Sequence, residues 1–120
     1  MTALSGAAVL LAGCASTPPA PTAQIEAARQ AINDAERAQA AQHAAPELGQ
    51  ARSKIAAAEA AVQNEDMDDA ARLAEEARVD AELADARTAA VKAKMANDEI
   101  RRANSAVLDE MQRTTTGGTQ

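Results

Sequence analysis

Phenylalanine, tyrosine and tryptophan are all missing from this 120-residue sequence, and cysteine and histidine occur once each. Without aromatic rings the chain has no platform on which bases or sugars stack. A formal net charge of −6 works against electrostatic capture of nucleic acid, so no nucleic-acid partner is expected. One cysteine excludes an intramolecular disulfide, and one cysteine with one histidine supplies neither a soft-metal cluster nor a nucleophile with its base. The five glycines at 6, 13, 49, 117 and 118 are scattered, so no glycine-rich phosphate loop exists. β-Branched residues are sparse, which argues against a sandwich or barrel. What the chain has instead is alanine, 35 of it, with high helix propensity and a length that fits one domain. The expectation is an all-α protein without catalytic or metal-binding residues, and not an enzyme.

The 12 basic and 18 acidic side chains all lie beyond Cys14. An uncharged apolar run of about a dozen residues is too short to span a bilayer, and it suits the apolar region of a signal peptide over residues 1–13. It ends Leu11-Ala12-Gly13-Cys14, which resembles the bacterial lipobox. There a peptidase cuts before the cysteine, whose thiol carries a diacylglycerol. Two or three acyl chains, at about 0.8 kcal/mol per buried methylene, give firm anchoring. The reading therefore expects membrane lipid as a partner through acylated Cys14, and no cofactor beyond that covalent lipid. Ala15, a non-aspartate, points in the sorting pattern of such proteins to the outer membrane. Residues 14–21 hold three prolines in four positions, Pro18, Pro19 and Pro21, and read as an extended tether.

Residues 22–113 read as an alanine-rich helical domain. A first helix is expected over about 23–42, capped by Thr22, with Ile25, Ala28, Ile32 and Ala35 as its stripe. Pro46 opens a second helix over 46–63, whose stripe of Leu48, Ala51, Ile55, Ala58 and Val62 alternates large and small side chains. Asp66 is placed to cap a third helix over 67–113. Its first stripe runs Met67, Ala70, Ala74, Ala77, Ala81, Ala84, Thr88, Val91, Met95, then fails at Asp98 and Arg102. A second takes over: Leu83, Ala86, Ala90, Ala93, Asn97, Ile100, Asn104, Val107, Met111. The first two helices are about half as long as the third. The expected architecture is therefore an antiparallel three-helix arrangement with a protruding, coiled-coil-like C-terminal half. Ile100, Asn104, Val107 and Met111 are its candidate interface, toward a second copy or an envelope protein. Residues 114–120 read as a disordered polar tail.

Other features carry less. Glu65, Asp66, Asp68 and Asp69 are too compressed for a calcium loop, lack its central glycine, and read as helix capping. Glu75, Glu76 and Asp80 read as a solvated face with pairs such as Arg72 with Glu76. His43 falls at the end of the first helix, where imidazole favours the C-terminal dipole. Lys92, Lys94, Arg101 and Arg102 are interleaved with Asp98 and Glu99, a mixed face rather than a basic stripe.

Three segments together resemble a known family: Leu11 to Cys14, the helix Ala27-Ala28-Arg29-Gln30-Ala31-Ile32, and the block from Ala58 through Asn64-Glu65-Asp66-Met67 to Ala84. The chain looks like the bacterial domain-of-unknown-function family numbered 4398, small alanine-rich envelope proteins. The resemblance implies a helical fold and an envelope location, and no activity. The block around Asn64 also resembles a tetratricopeptide turn, but one unit is visible where about three are needed for an array. The function expected is a structural or adaptor lipoprotein on the periplasmic face of the outer membrane, working through helix–helix contact. The alternative is a periplasmic binding or assembly accessory that captures a specific protein.

Overall fold

The computed structural model describes residues 18–118, and every element in it is α-helical: α1 (Thr22–Arg37), α2 (Ala40–His43), α3 (Ala45–Gln63) and α4 (Met67–Gly117). At 1.5 Å per residue the 51 residues of α4 extend about 76 Å, which makes the molecule elongated. Residues 1–13 and the acylation and signal-motif residues Leu11, Ala12, Gly13 and Cys14 lie outside the described part.

Alanine at heptad-like spacing brings the helices together. Ala70, Ala74, Ala77, Ala81, Ala84 and Thr88 form the buried face of α4. A methyl group on each turn lets α1 and α3 approach closely, and the larger side chains come from those two helices. Ile25, Ala28, Ile32 and Ala35 of α1 are buried, as are Leu48, Ala51, Ala58 and Ala61 of α3. One cluster joins Ile32, Ala35, Ala40, Ala44, Leu48, Ala51, Ala81 and Ala84, and a second joins Ile25, Ala58 and Ala74. Ile55 and Val62, expected in the core stripe, are only half-buried; Ile55 packs against both clusters and so links them. The Thr88 hydroxyl donates to the Ala84 carbonyl at 2.8 Å, which satisfies the one buried polar side chain of that face.

Four helix boundaries differ from the sequence expectation. The first helix stops at Arg37 rather than near residue 42. Gln39 takes a left-handed conformation (φ 73°) and its N–H reaches the Glu36 carbonyl, after which the single turn α2 redirects the chain. The reason is tertiary: Ala40 and Ala44 bury themselves against Ala81 and Ala84. Thr22 is the first helical residue and not a cap; Pro21 stands at the cap position without a side-chain hydrogen bond. The second helix begins one residue earlier than expected, at Ala45, with Pro46 still in its first turn. Finally, α4 continues through Thr114–Gly117, where a disordered tail was expected. Thr114, Thr115 and Thr116 donate their hydroxyls to carbonyls one turn back, Met111 for the first two and Gln112 for the third, so these side chains fold back on the helix rather than leave it.

The turn between α3 and α4 is a Schellman motif. Glu65 sits in the left-handed region (φ 62°), its N–H bonds the Val62 carbonyl, and the Asp66 N–H bonds that of Ala61. The Asp66 carboxylate then accepts from the Asp69 N–H at 3.3 Å and opens α4.

Ion pairs record the register between helices. Arg29 meets Glu59 (2.7 Å) and Glu36 meets Arg52 (2.6 Å), so ascending positions on α1 face descending ones on α3. Between α3 and α4, Glu47 pairs with Arg87 and Lys54 lies 2.8 Å from Asp80, again in opposite senses along the chain. Asp80 and Glu76, read from sequence as a solvated face, are thus an interhelical bridge: Lys54 also reaches Glu76 at 3.3 Å. Asp80, beside the Lys54 ammonium, raises its pKa. Arg72, then Lys54, lowers that of Glu76.

Candidate functional site

Burial on α4 ends at Thr88. Lys92 marks the limit of the packed part, its ammonium donating to the Ala38 carbonyl at 2.7 Å where α1 ends. Val91 and Met95 continue the first stripe in sequence, but they are 37% and 59% exposed. The physical reason is the early end of α1, since no other helix of the described chain reaches that far.

Beyond this point α4 proceeds unaccompanied with large aliphatics on its surface. The candidate interface residues Ile100, Val107 and Met111 are 57–61% exposed, and Asn104 is exposed between them. At about 100° per residue they share one face of the helix. Leu108, which the sequence reading did not single out, is 60% exposed at the edge of that face. On the packed half of α4, Leu83 (43%), already in the second stripe, and Val79 (49%), which the sequence reading missed, are large, apolar and exposed. Leu83 opened the second stripe; Val79, four residues earlier, extends it backward. The signal was present as a spacing of four.

Around this face the polar groups pair along the helix: Lys94 with Asp98 (2.9 Å), Arg102 with Glu99 (3.4 Å) and Arg113 with Glu110 (3.2 Å). Exposed pairs of this kind add about 0.3–0.5 kcal/mol each and keep a solvated helix intact. The arrangement can bury an apolar strip against another helix.

For chemistry of other kinds the described residues offer little. Among them no group of three or more His, Cys, Asp or Glu side chains could hold a metal ion, and no helix is long and apolar enough to cross a membrane. Of the acidic cluster, Asp66 caps α4 and Asp69 accepts from Arg72 (2.6 Å). His43 closes α2 rather than the first helix.

No curated protein and no solved structure matches the chain. A family match does exist, described as "Domain of unknown function (DUF4398)", and it covers residues 23–100. That span holds α1, α2, α3 and α4 as far as Ile100; Asn104, Val107 and Met111 follow it. By a match over more than half its length, the chain belongs to the DUF4398 family.

Proposed function

We propose that this protein is a non-enzymatic structural or adaptor lipoprotein of the bacterial envelope. Acyl chains on Cys14 fix it to the periplasmic face of the outer membrane, and it works by burying the exposed face of α4 against another helix. The three longer helices serve as an antiparallel bundle that holds α4 rigid and aims its free half outward; the opposed register of the α1–α3 and α3–α4 ion pairs supports that arrangement. One observation carries the reading: Ile100, Val107, Leu108 and Met111 stand exposed where no other described helix reaches. Isolated surface aliphatics are common, but a line of them on a lone helix is the pattern of an interface seam.

A photoreactive residue at position 104, crosslinked in intact cells, tests the interaction. An adduct with a defined protein or with a second copy supports it, and the absence of any adduct overturns it. Anchoring is tested separately by metabolic labelling with an acyl-chain probe. The wild type is expected to take up label and Cys14→Ser to take up none and leave the membrane fraction; equal label in both, or none in either, overturns the lipid anchor.

A further inference from the structure

The exposed face of α4 is longer than its free half. Reading back from Met111, the positions Val107, Asn104, Ile100, Asn97, Ala93, Ala90, Ala86, Leu83 and Val79 follow at alternating spacings of four and three without a break. Every one of the ten is exposed. Where α4 is packed, this line lies on its outer side: Ala86 and Ala90 stand two residues either side of buried Thr88, about 160° around the helix from it. The seam therefore passes continuously from the bundled half onto the free half, about 50 Å in all.

We propose that this seam pairs with the same seam of a second copy, in parallel and in register, as a two-stranded left-handed coiled coil with the two bundles on its outer sides. This rests on the adaptor reading above and names the partner. Four observations favour a second copy in this orientation. First, the strict seven-residue repeat over more than four heptads is what a supercoiled pair requires, since it drifts around a straight helix by about 20° per heptad.

Second, the register places Leu83, Ala90, Asn97, Asn104 and Met111 at the a positions. In a parallel pair Asn97 and Asn104 each face their own counterpart, where amide bonds to amide. In an antiparallel pair over the same residues Asn104 would face Ala86 and Asn97 would face Ala93, with the amides unpartnered. Third, the flanking charges agree. A parallel pair sets Glu82 beside Arg87 of the second copy, adding to the pairs these two make within their own chain with Arg78 and Glu47, whereas the antiparallel overlap sets Lys94 against Lys94 and Arg87 against Arg101, a like-charge penalty that acts on orientation. Fourth, a strip about 50 Å long and 10 Å wide on each copy removes roughly 1,000 Å² in total, the threshold of a specific interface. No packed element obstructs it, because α1 and α3 occupy the opposite side of α4.

Sedimentation equilibrium of the full-length chain tests the pairing. The expected result is a monomer–dimer equilibrium that Ile100→Asp with Val107→Asp weakens by about 100-fold or more. Helix content should not change, because both positions are exposed in the monomer, and association through residues 1–13 would survive in the variant. For orientation, a Cys14→Ser background carrying Asn104→Cys is expected to form a disulfide with itself under mild oxidation. A monomer at about 100 µM, a dimer that the aspartates do not disturb, or a cysteine at 104 that links only to one introduced by Ala86→Cys overturns the proposal. If the chain alone is monomeric but position 104 crosslinks a different protein in cells, this inference falls and the adaptor reading stands; with no adduct of any kind both fall.

Discussion

Alanine works in this protein as a distance. Ala28 and Ala35 on α1, Ala51 and Ala58 on α3, and five alanines on α4 have no exposed surface, and their methyl groups set how closely the helices approach. A side chain larger than methyl has no room there. Ala58→Leu, in the cluster with Ile25 and Ala74, is expected to cost about 1–3 kcal/mol through overpacking, read as a lower midpoint in a thermal melt followed by circular dichroism. Gly49 is the converse case. It lies within α3, exposed, and a Cβ placed on it would meet nothing within 4 Å. Gly49→Ala removes the glycine's backbone entropy cost in a helix and should raise stability by about 0.5–1 kcal/mol in the same melt.

At the scale of the element, what could be read in advance depended on whether its cause was local. The stripes Ile25–Ala28–Ile32–Ala35 and Ala70 to Thr88 were legible because burial repeats with the helix itself. The cap at Asp66 was legible because its hydrogen bond spans three residues. The end of α1 was not. Ala38-Gln39-Ala40 contains neither glycine nor proline, and Gln39 turns left-handed because Ala40 and Ala44 gain burial on α4. Glu65 hides its Schellman turn in the same way, with glutamate where glycine is usual. The stripe runs on through Val91 and Met95 past the last covered position, because periodicity reveals a face but not whether another helix is long enough to cover it; that limit was legible only from the helix lengths. The candidate face at Ile100, Val107 and Met111 was legible for the same reason as the core, its spacing.

Contacts between elements bring a pH dependence. Glu76 titrates below its ordinary 4.5 because Arg72 and then Lys54 bond its carboxylate. Its contribution is complete above pH 4.5 and is lost as the pH falls through the lowered value. Lys54, raised above 10.5 by Asp80, contributes fully below that value and fades at higher pH. Lys54→Met is expected to lower the urea midpoint by an amount that is constant between about pH 5 and pH 10 and shrinks toward either extreme. A difference that grows on acidification would mean that the bridge does not link α3 to α4.

For the whole molecule, one helix has two roles along its length. The half before Thr88 holds the bundle, and the half after it is free of the bundle. Truncation after Asp98 removes Ile100, Val107, Leu108 and Met111 but none of the buried residues. The truncated chain is expected to melt at the same temperature as the monomer of the intact chain, to lose self-association in sedimentation, and to remain in the membrane fraction if Cys14 anchors it. Loss of folding on truncation would show that the two halves are one cooperative unit.

A core built from methyl groups also has a calorimetric signature. Unfolding raises heat capacity chiefly by wetting apolar surface, about 12–15 cal/mol/K per residue in ordinary domains. Among the described residues the only side chains fully shut off from water other than alanine are Leu48 and Thr88, and roughly the last 29 residues of α4 have almost nothing to uncover. The increment measured by scanning calorimetry on the monomer is expected to fall below that range. The stability of such a protein then varies little with temperature: its melting is broad and low in enthalpy, and cooling toward freezing weakens it less than it would a domain with a large aliphatic centre.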